Sequence, residues 1–129
     1  MFRTKRTTEN EYFGTIVFEN SCWNTTVVEN RNEYYVYLEG SKVEPSEAAL
    51  KQAISISKEL ESLVAVCHEY LKKRKVVPFV NSTDSFVLES VYSKALQGDF
   101  DLAFGHEAED WAATVHFKNS EPTDTSVTH

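Results

Sequence analysis

The sequence predicts an α+β fold, one long helix packed on antiparallel strands in the order β-β-β-α-β-β-β. Short runs with period-two alternation occupy residues 12–39 and recur over 86–117. Between them, from about Pro45 to about Arg74, the apolar period lengthens to that of a helix. The size agrees, since 129 residues with 41% hydrophobic content can bury one core but not two. The expected organisation is a flexible N-terminus over 1–10, a single domain over 11–118 and a disordered Ser/Thr/Asp-rich tail over 119–129.

Each element has its own signal. In the first strand Tyr12, Ile16 and Phe18 share a face, with Gly14 between them. In the second, Trp23, Thr25 and Val27 alternate with Asn24, Thr26 and Val28, and in the third Tyr34, Val36 and Leu38 alternate with Tyr35, Tyr37 and Glu39. Asn-bearing turns at 19–21 and 29–32 connect them, because Asn tolerates left-handed backbone angles. Pro45 suits the first helical turn, where its missing N–H costs nothing. At 100° per residue Ala49, Ala53, Ile56, Leu60, Leu63, Val64, Cys67 and Leu71 fall on one arc, with Lys51, Ser55, Lys58, Glu59, Ser62, Glu69 and Lys73 opposite. Pro78 and the polar run 81–84 then end the helical region. The closing strands carry Phe86, Leu88 and Tyr92, then Phe100, Leu102 and Phe104, then Trp111, Ala113, Val115 and Phe117.

Composition narrows the function. A net charge of −7 repels nucleic-acid phosphates, so direct DNA or RNA binding is not expected. The basic cluster 72–75 has a local explanation, as it complements the dipole at the helix C-terminus. Residues 1–6 are basic but lead into polar sequence without the apolar region of a secretory signal, and no run is long enough to span a bilayer. The expected location is therefore cytoplasmic, with Cys22 and Cys67 as free thiols and the sequons at Asn24 and Asn81 as chance matches. No phosphate-cradling Gly-rich loop and no Gly-x-Ser-x-Gly elbow occurs, and no cofactor is expected.

The stretch from Asp99 to Trp111 is the most suggestive. It holds Asp99, Asp101, Glu107, Glu109 and Asp110 with His106, and no Lys or Arg. Imidazole beside carboxylate could ligate a metal or support acid–base chemistry, but ligands from one loop seldom complete a transition-metal site, and no paired-Cys or His-Glu-x-x-His spacing supplies the rest. Clustered carboxylates flanked by Phe104 and Trp111 also suit an interface for a basic partner, combining electrostatic steering with aromatic anchors. Against this, a charge run between strands is ordinarily just solvated, and both aromatics fall on inward faces. Cys67 reads as a buried small side chain, and its neighbour His68 points about 100° away, so the two form no dyad. His116 alternates onto the face opposite Val115 and Phe117, towards solvent. Tyr34, Tyr35 and Tyr37 occupy both faces of one strand, leaving Tyr35 or Tyr37 accessible for contact.

Trp23 in an N-terminal meander, Pro45 with the Ala/Leu-rich helix after it, and Phe104-Gly105-His106 ending a late strand together resemble a loose group of small acidic bacterial α+β domains similar to toxin-immunity proteins, including those of contact-dependent growth inhibition. The resemblance spans most of residues 11–118 and brings no catalytic residue with it. It implies an intracellular, non-enzymatic binding protein that neutralises a basic toxin domain, such as a nuclease, by covering its active site. Asp99, Asp101, His106, Glu107, Glu109, Asp110 and Trp111 are then the expected contacts, and the chain is a monomer or small homo-oligomer. The alternatives are a small metal-binding protein or hydrolase using His106 with nearby carboxylates, and a structural or accessory subunit assembling through its Tyr-rich strand.

Overall fold

A computed structural model of the chain describes residues 6–29, 32–74, 86–106 and 112–128. Four strands, β1 (Arg6–Asn10), β2 (Gly14–Glu19), β3 (Cys22–Glu29) and β4 (Asn32–Leu38), precede two helices, α1 (Glu47–Lys58) and α2 (Leu60–Arg74). Four more follow: β5 (Phe86–Ser93), β6 (Phe100–His106), β7 (Ala112–Lys118) and β8 (Glu121–Thr128). All eight form one sheet in sequence order. Every pairing is antiparallel except β4 with β5, which run parallel because the helical crossover returns the chain to the same end of the sheet.

This overturns the expectation of one long helix on antiparallel strands in the order β-β-β-α-β-β-β. The sheet is mixed and has eight strands. The two additional ones, β1 and β8, come from segments expected to be a flexible N-terminus and a disordered tail. Both are edge strands rich in polar residues, so neither shows the apolar alternation of a strand buried on one face. Backbone pairing and the turns that join them to β2 and β7 make them strands.

Those turns have a common chemistry. Asn20 and Ser21 join β2 to β3 with φ of 51° and 65°, and Asn119 and Ser120 join β7 to β8 with φ of 53° and 65°. Positive φ at both central residues is the two-residue hairpin turn whose twist matches its strands. Between β1 and β2 the Asn10 side-chain oxygen accepts from the backbone N–H groups of Tyr12 and Phe13, both at 2.9 Å, and Gly14 takes φ 76°.

The long helix is also divided. Ser46, not Pro45, sets its start, its hydroxyl accepting from Ala49 N at 3.2 Å, while Pro45 bridges back to Gly40. A cap of this kind contributes about 1 kcal/mol. At Glu59 the backbone leaves helical angles (φ −111°, ψ 18°), and its N–H is shared between Ser55 O and Ile56 O. The apolar period continues across the break, so composition alone reads as one helix.

The core lies between the helices and one face of the sheet. Ile16, Trp23, Tyr34, Val36, Leu38, Val91, Leu102, Phe104 and Val115 meet Ala49, Ala53, Ile56, Cys67 and Leu71 there, all nearly inaccessible to water. The helical arc was right in direction, although Leu60, Leu63 and Val64 are only partly covered. Thr25, Gln52, Ser57 and Ser93 are the buried polar side chains among the described residues, and Gln52 makes the most contacts. Gln52, 3% exposed, donates from Nε2 to Asp99 O (2.9 Å) and Lys94 O (3.1 Å) and accepts from Gly98 N at 2.6 Å. It thereby fixes the turn between β5 and β6. Gly98 in turn abuts the β7–β8 hairpin, where Ser120 N donates to Gly98 O at 3.0 Å. No helix of the described residues is long and apolar enough to cross a membrane.

Candidate functional site: the uncovered face of the sheet

Because the strands alternate, the residues between the core positions point to the sheet face that carries no helices. Register builds this face in rows. One row runs Val17, Asn24, Tyr37, Tyr92, Asp101, His116, and the next runs Thr26, Tyr35, Ser90, Ala103, Thr114, Ser126. Tyr35 and Tyr37 stack with ring centres 6.3 Å apart, and Tyr35 is 46% exposed. Beyond the tyrosines the second row has only short side chains, Ser90, Ala103 and Thr114. These lie beside the longer Tyr37, Tyr92, Asp101 and His116 of the first row. On the other side, the β5 bulge between Leu88 and Ser90 lays Glu89 over Gly105, where a Cβ would come within 2.6 Å of its carboxylate oxygen.

The face is acidic. By register it carries Glu9, Glu19, Glu33, Glu39, Glu89 and Asp101, against Lys94 and Lys118. Tyr92 lies among these charges. Its phenol is pushed above the usual range, first by burial and then by the neighbouring Cys22, Glu39 and Asp101. The half-buried Cys22 thiol is raised by burial as well, with a backbone contact to Leu38 opposing the shift.

Asp101 has partners on two sides. Its Oδ1 is 2.9 Å from His116 Nδ1, and its Oδ2 is 3.8 Å from Lys94 Nζ. His116 Nε2 is in turn 2.9 Å from Ser126 Oγ. The alternation that places His116 outward was legible, whereas its two partners were not. Asp101 belonged to the suggestive acidic stretch, but Ser126 lay in the segment expected to be a tail.

The other residues expected at the site are divided. His106 falls on the helix side of β6, its ring edge-on to Phe86 at 5.0 Å, and so on the opposite sheet face from Asp101. The two therefore do not assemble into one site. Asp99 sits at the β5–β6 turn with its backbone held by Gln52 and Leu96. Glu107, Glu109, Asp110 and Trp111 lie outside the described residues. Phe104 is wholly buried, its surface used by the core. Among the described residues no three His, Cys, Asp or Glu side chains converge as metal ligands.

A concavity of about 450 Å³ opens on the helix side, beside the interruption between α1 and α2. Tyr34, Ser57, Leu60, Val64, Phe86 and Leu88 form part of its wall. The Tyr34 hydroxyl reaches Ser57 Oγ at 3.4 Å, a long contact. Burial raises the Tyr34 phenol, the Ser57 contact opposing this. Cys67, deep in the core, is pushed up to about 12 by burial, which makes it inert as a nucleophile. Comparison with protein-family models, curated proteins and solved structures returns no match to this chain, so function rests on the site itself.

Proposed function

We propose that this chain is a binding protein of the immunity type, which covers a basic surface on a toxin domain with the open face of its sheet. The carrying observation is that Tyr35, Tyr37 and Tyr92 stand on a helix-free face among carboxylates that outnumber cations. Tyrosine gives large contact area at low entropic cost, and it dominates many interfaces. The surrounding charge speeds encounter with a cationic partner and disfavours nucleic acid. The contact surface thus moves from the stretch Asp99–Trp111 to the open face of the sheet. Asp101 stays in it, with Glu39 and Glu89 added.

The test is co-expression with a toxin domain encoded beside this chain. The wild-type chain is expected to restore growth, the Tyr35→Ala/Tyr37→Ala double variant to fail while remaining folded by circular dichroism, and Glu39→Lys to weaken protection. Full protection by the double variant would remove this face from consideration.

A further inference from the structure

On the same face, three side chains form a directed chain of hydrogen bonds. Asp101 Oδ1 faces His116 Nδ1 at 2.9 Å, and His116 Nε2 faces Ser126 Oγ at 2.9 Å. With the ring proton on Nδ1, donated to Asp101, Nε2 is left as an acceptor for the Ser126 hydroxyl proton. A carboxylate that orients an imidazole, which in turn takes a proton from a hydroxyl, is the arrangement of an activated nucleophile, recognised by geometry and not by sequence position. We infer that Ser126 is a nucleophile towards activated carboxylic esters with small acyl groups.

Three features of the fold fit that chemistry. Ser126 opens the row that continues through Thr114, Ala103 and Ser90, so the space beside its hydroxyl has a floor of short side chains where a small acyl group can lie. β8 is an edge strand, paired only to β7 among the described residues, and an edge strand turns alternate backbone N–H groups outward. Thr125 N–H is already donated to Asp124 Oδ1 at 2.8 Å, so the donor that alternation leaves beside Ser126 for a developing oxyanion is the Val127 N–H. Finally, Thr125 Oγ1 donates to Thr114 O at 2.9 Å and Thr123 Oγ1 to His116 O at 3.3 Å, pinning the strand on both sides of the histidine's row. The acylation step balances without any further group. Ser126 Oγ bonds to the acyl carbon, its proton passes to His116 Nε2, the ester C–O bond breaks, and the leaving alkoxide or aryloxide takes that proton. Water, deprotonated by the same Nε2, then releases the acyl group as a carboxylic acid and restores the serine.

The probe is p-nitrophenyl acetate with the full chain, followed by peptide mass spectrometry and by nitrophenolate release. The expected result is an acetyl group on the peptide bearing Ser126 and a release rate that falls about 100-fold in His116→Gln, the usual scale for losing a general base. Asp101→Asn should reduce it less, and Ser126→Ala should remove the label while circular dichroism and thermal melting remain those of the wild type. Acetylation confined to lysines or the N-terminus, or a rate unchanged in Ser126→Ala, would overturn the inference and leave the three residues as a strand-to-strand tether. Toxin protection by Ser126→Ala is a separate readout, so failure here leaves the docking surface untouched.

Discussion

Replacing Gln52 by Leu is expected to be among the most damaging single changes in this fold, although the two side chains are similar in size. Gln52 meets one N–H and two carbonyls in a region nearly closed to water: Gly98 N at 2.6 Å, Asp99 O at 2.9 Å and Lys94 O at 3.1 Å. Leucine satisfies none of them, and each buried group left without a partner costs about 1–3 kcal/mol. Some carbonyls regain water by shifting, so the total should be about 3 kcal/mol. For 129 residues, unfolding entropy near 2.1 cal/mol/K per residue turns that into a fall in Tm of about 11 °C. Thermal melting followed by tryptophan fluorescence measures it directly. Gln52→Glu is the sharper control: it keeps the acceptor for Gly98, but aims a carboxylate at two carbonyls. Its stability should improve as the pH falls and the acid regains a donor proton. A Tm for Gln52→Leu within 2 °C of wild type would refute the claim that this amide holds the β5–β6 turn.

Other expectations follow from the turns and the buried thiol. Ser120→Gly should raise stability by about 0.5–1 kcal/mol in a urea titration, since Ser120 holds φ 65° where glycine is unstrained. Gly98→Ala should cost more than about 2 kcal/mol in the same assay, because φ is +89° and the new Cβ would meet Asn119 Cα at 2.8 Å. Cys67, raised to about 12, favours the folded state fully below the pH at which a free thiol ionises, and that contribution is lost as pH climbs towards 12. Cys67→Ala should therefore be less stable than wild type at neutral pH yet lose less stability between pH 9 and pH 12, as read by denaturant midpoints across that range.

Particular residues show how far the sequence could be read. The Asn-Ser pair at 20–21 was recognised as a turn because apolar strands flank it, while the same pair at 119–120 went unrecognised because polar sequence follows. The backbone angles are nearly identical, so the signal was present and the expectation of a tail overrode it. Missing β8 also hid Ser126, and with it the partner that gives His116 its context. The period marks the helical arc, but no Pro or Gly marks the break at Glu59; it shows in that residue's non-helical angles and in the sharing of its N–H between two carbonyls. Clustered charge from Asp99 to Asp110 suggested a single surface. Alternation across β6 instead sends Asp101 to one side of the sheet and His106 to the other.

Tyrosine nitration of the chain, alone and mixed with the toxin domain it is proposed to cover, tests the docking surface most directly. In the free chain Tyr12 and Tyr35, both 46% exposed, should react. On binding, Tyr35 should become protected while Tyr12, in the β1–β2 turn, keeps its reactivity. Protection of Tyr12 with Tyr35 still fully reactive would place the partner elsewhere and contradict the account.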